Sequence, residues 1–242
     1  MGAKTDYHHT LGPLQARALH RGYRAFSRRR PVVPDLKMER FVVKGGGVIG
    51  APLPKVGSRS VRKALRRHAD QERFQIPMEP RDIRRTYPDA FVFSFVRNPW
   101  DRVYSCWKDK VDNAFSKGKI KILSKFPGLR PFMPFEEFLE WLSSDHGSDE
   151  IADRHWLSQV VHLDISGEVR LCDYTGRIET MGRDWQRISE ITGLDLPALT
   201  HANAKPGADF ASIYSARGRK IVERRYAADI EYFKYRFASE PG

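Results

Sequence analysis

This chain of 242 residues has almost no cysteine: Cys106 and Cys172 are its only two. They stand far apart and outside any metal-ligand spacing. That excludes a disulfide-stapled secreted scaffold and leaves two idle thiols in a reduced, cytosolic protein. No pair of His, Cys or carboxylate residues has a zinc spacing, so no metal is expected. No apolar run approaches the length of a membrane span, and the N-terminus lacks the apolar core of a signal peptide. Internal repeats, heptads, low-complexity linkers and nucleic-acid modules are missing, and no Gly-x-x-x-x-Gly-Lys-Ser/Thr phosphate loop occurs. Acidic residues are in deficit: 30 Asp and Glu face 42 Lys and Arg, a formal charge of +12. The excess suits an anionic partner without naming it, since nucleic acid, anionic lipid, nucleotides and acidic glycans all qualify.

At this length a single domain with a three-layer core is expected. We assign it to residues 41–242, and residues 1–40 to a basic N-terminal arm, either helical or partly disordered, whose charge is densest from Arg17 to Arg30. Lys44-Gly45-Gly46-Gly47 reads as a turn between two short strands, Lys117 to Pro134 as a surface loop, and Phe135 to Leu142 as a short helix with a core-facing aromatic side.

Two windows carry chemistry. Phe91 to Val96 is apolar and rich in aromatic and β-branched residues, as a strand covered on both faces should be. Arg97-Asn98-Pro99 follows, and Pro99 suits the first turn of a helix that continues through Trp107. Arg97 therefore stands at the carboxyl end of a strand beside a helix N-terminus, where open α/β sheets bind ligands. Ser105 lies about two turns into that helix on the side of Asp101. An Arg and a Ser so placed hold a phosphate by charge and by hydroxyl donation. Upstream, the apolar run Val48-Ile49-Gly50 leads to Pro54-Lys55-Val56-Gly57-Ser58-Arg59-Ser60, after which Val61, Ala64 and Leu65 recur at helical spacing. This is strand, loop and helix, with Gly57 for a tight turn and serines at or near the helix cap. Backbone N–H groups and the helix dipole favour an anion there, and Lys55 adds a mobile positive charge. Either window alone is also an ordinary strand-to-helix turn.

The segment Phe95-Val96-Arg97-Asn98-Pro99-Trp100-Asp101-Arg102 resembles the 3′-phosphate-binding segment of the sulfotransferases that use 3′-phosphoadenosine 5′-phosphosulfate (PAPS), in particular the carbohydrate (family 2) type. Pro54 to Ser60 is similar to the 5′-phosphosulfate loop of the same enzymes. Asp153-Arg154-His155-Trp156-Leu157-Ser158-Gln159 resembles their histidine-tryptophan-x-proline-glutamine element, with Ser158 in place of the proline. Val169 to Glu179 looks like their later strand and glycine-arginine-x-glutamate turn, followed by a helix from about Met181 to Thr192 with Gly193 as its cap. Tyr226 to Phe237 matches their aromatic ending. The resemblance covers about Phe41 to Phe237. It implies an α/β fold, a three-layer α/β/α sandwich with a central parallel sheet related to P-loop kinases. Because the Golgi anchor of many animal members is missing, it also implies a bacterial-type soluble, cytoplasmic enzyme.

What the resemblance implies for chemistry is specific. PAPS would be the donor, adenosine 3′,5′-bisphosphate the product, and a hydroxyl of a carbohydrate or glycoconjugate the acceptor. Lys55 would neutralise the bridging oxygen that leaves. The Gly57 to Ser60 backbone, with the Ser58 and Ser60 hydroxyls, would cradle the 5′-phosphosulfate, and Val56 and Arg59 belong to the same loop. Arg59 stands where the family has a small hydroxyl residue, and either points outward or contacts the sulfate. Arg97 and Ser105 would grip the 3′-phosphate. His155 is the candidate general base, with Asp101, Asp153 and Glu179 as alternatives; a histidine beside a tryptophan also serves as a structural hydrogen-bonding residue. Asp101 equally suits a helix cap or a pair with Arg102. Arg217, Arg219 and Lys220 resemble basic residues that close over the nucleotide, and equally form a solvated helix face. Two other readings stay open: a non-catalytic basic protein that binds polyanions or nucleotides, derived from a sulfotransferase, and a small-molecule kinase.

Overall fold

The computed structural model describes residues 38–69, 75–114, 120–164, 171–197, 199 and 210–237. Most of the basic arm therefore lies outside the described residues. In chain order the first elements are β1 (Met38–Val43), β2 (Val48–Gly50), α1 (Ser58–Leu65), β3 (Gln75–Met78), α2 (Pro80–Thr86), β4 (Phe91–Val96) and α3 (Pro99–Trp107). Then come α4 (Ile120–Leu123), α5 (Phe135–Leu142), α6 (Gln159–His162), β5 (Tyr174–Arg177), α7 (Met181–Thr192), α8 (Phe210–Ile213), α9 (Ala216–Arg225) and α10 (Ala227–Phe233). β1 starts at Met38, inside the stretch assigned to the arm. The described residues fall into two compact units, one from 38–96 and 161–199, the other from 97–160 and 210–237.

The first unit holds a five-stranded sheet in the order β3-β1-β2-β4-β5. The fold is an α/β sandwich, this sheet with helices on both sides. β2, β4 and β5 are parallel, with Val48 opposite Phe91 and Phe93 opposite Tyr174. The parallel centre matches the expectation, while β1 runs antiparallel to both β2 and β3 and makes the sheet mixed. The Lys44–Gly46 turn joins β1 to β2 as read from the glycines. β4 is apolar but for one residue because nearly all of its side chains are buried. Its one hydroxyl, Ser94, is buried and satisfied by donating to Ala51 O at 2.6 Å. On the Phe93 and Phe95 side, α1 buries Val61, Ala64 and Leu65, and α7 brings Trp185 edge-on to Phe93 at 6.0 Å. Gly50 and Gly176 make this approach possible. A Cβ at Gly50 would come within 2.9 Å of Leu65, and one at Gly176 within 2.7 Å of Phe95. Asp173 pins the start of β4 by accepting from Val92 N–H and from Arg84 of α2, both at 2.8 Å.

The second unit has an aromatic core. Trp156, 1% exposed, meets Phe126 and Trp141 edge-on at 4.7 and 5.6 Å, and Phe135 and Phe138 of α5 are buried as expected. Buried phenols and indoles call for hydrogen-bond partners; two tyrosines here find backbone ones, while the buried Trp156 Nε1 has none among the described residues. Tyr226 O–H donates to Trp156 O and Tyr214 O–H to Trp100 O. The segment read as a surface loop is better anchored than its Lys, Gly and Pro content suggests. Leu123, Leu129 and Met133 are buried, and the indoles of Trp107 and Trp141 donate to Met133 O and Pro127 O. Phe132 alone among its described large hydrophobic residues is exposed. After α3 the chain continues into one π-helical turn, Lys108–Asp112. No helix of the described residues is long and apolar enough to cross a membrane.

Candidate active site

In the first unit the lysine loop is a turn, residues 54–57, between the end of β2 and α1. Two of its residues are left-handed, Lys55 at φ 72° and Gly57 at φ 77°. Gly57 is the helix cap and Ser58 the first helical residue, so the cap is made by backbone conformation rather than by a serine side chain. Glycine is favoured at 57 because its positive φ disfavours an L side chain, and a Cβ would also crowd the Met181 methyl at 3.1 Å. The first helical hydrogen bonds run from Ser60 and Val61 N–H to Gly57 O. The N–H groups of Ser58 and Arg59 thus stand ahead of the ladder, at the positive end of the helix dipole. The Val56 side chain is buried, so only its backbone can meet a ligand, and Arg59 is exposed.

In the second unit Arg97 follows directly on β4 and precedes α3. Its guanidinium is gripped edge-on by Asp101, with Nε to Oδ2 at 2.8 Å and Nη2 to Oδ1 at 2.7 Å. This corrects the sequence expectation for Asp101, which neither caps α3 nor pairs with Arg102. The cap is Asn98, whose side chain accepts from Trp100 N–H at 3.1 Å and donates to Arg236 O at 3.0 Å. Asn98 can cap because its Oδ1 reaches the N2 amide, while Asp101 lies one turn from Arg97 at the i,i+4 spacing favoured by ion pairs. Ser105 is half-buried, one further turn along the same face.

His155 belongs to this unit as well, in a turn following Asp153. Its backbone N–H donates to Asp153 Oδ1 at 3.0 Å, and its ring Nδ1 is hydrogen-bonded to the same oxygen. Burial pushes the imidazole below its ordinary 6.5, the charges of Lys110 and Arg154 push the same way, and Asp153 opposes them. Burial would raise the Asp153 carboxyl, but the side-chain and backbone hydrogen bonds from His155, with the Arg154 charge, outweigh it and hold the group below its ordinary value. The pair is therefore a neutral imidazole donating Nδ1–H to a carboxylate, which leaves the lone pair on Nε2. Arg217, Arg219 and Lys220 are exposed on α9. Arg217 pairs with Glu140 and Arg219 lies 4.1 Å over the Phe237 ring, as a solvated helix face would have them.

Buried polar residues of the same unit hold these groups in place. Gln159 is fully buried; its Oε1 accepts from Arg97 N–H and its Nε2 donates to Arg97 O, both at 2.9 Å. Asp229, also fully buried, accepts from Gln159 N–H at 2.9 Å, Val160 N–H at 2.8 Å and Gln159 Nε2 at 3.3 Å. Burial pushes its carboxyl upward, while the Arg102 charge and the Gln159 and Val160 amides push back. Ser158, standing where the resembling enzymes have proline, donates its N–H to Asp149 at 3.0 Å, which a proline cannot do. Its hydroxyl accepts from Arg225 at 3.3 Å, and Arg225 closes the group on Asp149 at 2.7 Å and Gly147 O at 2.8 Å. The motif letters Gln159 and Ser158 were visible in the sequence; only their partners were not.

The first unit thus carries a parallel α/β centre with a lysine loop at a helix N-terminus, and the second an arginine directly after β4. The family of the chain is shown by direct comparison: the sulfotransferase family matches residues 40–236, and the chain belongs to it. Among solved structures it is similar to the crystal structure of a sulfotransferase from Alicyclobacillus acidocaldarius, at 17% identity and a TM-score of 0.33. That match covers 62% of this chain and 58% of the other. No curated protein matches the chain.

Proposed function

We propose that this protein transfers a sulfuryl group from PAPS to a hydroxyl of a carbohydrate acceptor. The observation that carries the reading is Arg97, held by its guanidinium on Asp101 and by its peptide on Gln159, in a chain of the sulfotransferase family. Asp101 fixes the direction of that guanidinium, and arginine is suited to directional, charge-assisted bonds with phosphate. A 3′-phosphate is the feature that separates PAPS from ATP, and Arg97 with Ser105 is its receptor. The loop N–H groups ahead of α1, with the Ser58 and Ser60 hydroxyls, suit the 5′-phosphosulfate. Lys55 suits the bridging oxygen, where a unit charge at about 4 Å is worth roughly 4 kcal/mol at an effective dielectric near 20.

In the reaction the acceptor oxygen bonds to sulfur as the bond from sulfur to the phosphate bridging oxygen breaks, and adenosine 3′,5′-bisphosphate leaves. His155 Nε2 takes the acceptor proton, its tautomer set by Asp153. The test is transfer of ³⁵S-sulfate from labelled PAPS to a panel of neutral and acidic oligosaccharides, with wild type, Lys55→Ala and His155→Ala. We expect labelled sugar with wild type and a loss of about 10²-fold or more in each variant. Binding of adenosine 3′,5′-bisphosphate without transfer to any acceptor would favour a non-catalytic nucleotide-binding protein instead.

A further inference from the structure

A phosphate-binding arginine is only as well placed as the backbone that carries it, and here the backbone of Arg97 is itself gripped. Both backbone polar groups of Arg97, its N–H and its C=O, end on one side chain, the amide of Gln159, each at 2.9 Å. This is the pairing a neighbouring strand would supply, delivered by a single residue just past the end of β4. The partner lies 62 residues further along the chain and is fully buried.

The amide can face only one way. Asp229 Oδ2 lies 3.3 Å from Nε2 and demands a donor there, and Arg97 O demands the other hydrogen of the same nitrogen. Oε1 is then turned to Arg97 N–H. A flipped amide would set its oxygen against a carboxylate and a carbonyl together. Asp229 is fixed in turn by Gln159 N–H at 2.9 Å and Val160 N–H at 2.8 Å. The chain of hold is therefore Asp229 to Gln159 to the Arg97 peptide, while Asp101 orients the guanidinium at the other end.

We propose that Gln159 is a positioning residue of the donor site, which sets Arg97 for the 3′-phosphate through its peptide rather than by touching the ligand, with Asp229 fixing the orientation of the Gln159 amide. This rests on the donor reading above. Geometry at such a receptor matters because charge-assisted bonds to phosphate are directional. A loosened Arg97 should weaken a ligand that has a 3′-phosphate and leave one that lacks it alone.

The experiment is calorimetric titration of adenosine 3′,5′-bisphosphate, and separately of 5′-AMP, into wild type, Gln159→Met, Arg97→Ala and the double variant. Methionine keeps the volume and removes both bonds to Arg97. We expect Gln159→Met to bind the bisphosphate about tenfold more weakly, with AMP affinity unchanged. In the Arg97→Ala background it should cost nothing further, because the two residues act through one contact. Should Gln159→Met not fold by thermal melt, Gln159→Glu, which keeps the shape and one acceptor but loses the donors, carries the same expectation. Unchanged bisphosphate binding, an equal loss for both nucleotides, or losses that multiply in the double variant would each overturn the positioning role. A wild type that does not prefer the bisphosphate to AMP would instead overturn the donor reading, and is seen before any variant is compared.

Discussion

At the scale of single residues the site depends on pairs that set charge and direction. Burial, with the nearby Lys110 and Arg154 charges, outweighs Asp153 and holds the His155 imidazole below its ordinary 6.5. Lys110 is itself buried, carried on the π-helical turn and paired with Asp109 at 3.1 Å. The opposing neighbours make a prediction of opposite sign for two substitutions. Lys110→Met removes a charge that disfavours the imidazolium, so the His155 pKa should rise; Asp153→Asn removes one that favours it, so the pKa should fall further below 6.5. Histidine ring-proton NMR against pH reads both shifts, and movement of the two variants in one direction would refute the assigned electrostatics. On the proposed role of His155 as the base, a lowered pKa keeps it neutral to lower pH than a free imidazole, and the acid limb of turnover should fall below 6.5.

Individual elements show how local sequence and distant partners share the work. Helices α3 and α7 were legible in outline because Pro99 starts one and Gly193 ends the other, at φ 63°. Such signals are local, set by the conformational limits of one or two residues. The turn before α6 was not legible, since Ser158 in place of proline says nothing by itself about what replaces a rigid ring. The answer is a buried network, Ser158 N–H to Asp149 and Asp149 to Arg225, closed against Gly147. Restoring the ring should therefore harm this protein. Ser158→Pro deletes the backbone donor to a buried carboxylate together with the hydroxyl and should cost about 1–3 kcal/mol, whereas Ser158→Ala keeps that N–H and loses only the hydroxyl's bonds to Asp149 and Arg225, a smaller cost. Urea unfolding of the two variants checks the order, and a proline variant as stable as wild type would show that the network contributes nothing.

For the whole molecule the same buried groups set the response to acid. The Asp149 carboxyl would be raised by burial, but Arg225 and the Ser158 bonds hold it below its ordinary 3.8 in the folded protein. A group with a depressed folded-state pKa stabilises fully above its unfolded value, and the contribution is lost as pH falls through the folded one. The contribution of Asp149 should hold down to about 3.8 and then be lost, so Asp149→Asn, already destabilised by an unpaired Arg225, should show a flatter decline below that pH than wild type. Urea midpoints from about pH 5 to about pH 2 test this, and equal slopes in both proteins would rule it out. By itself the sequence determined the α/β class, β4, the ends of its flanking helices, and the lysine and arginine segments. Each of these depends on periodicity, proline and glycine conformation, or residues adjacent in the chain. Only the tertiary structure decided that β1 makes the sheet mixed, that Asp101 grips Arg97, and that Gln159 and Asp229 lie beneath the Arg97 peptide. Those pairings join residues as much as 62 and 70 positions apart, and no local rule specifies which buried donor will meet which buried acceptor once the chain has closed.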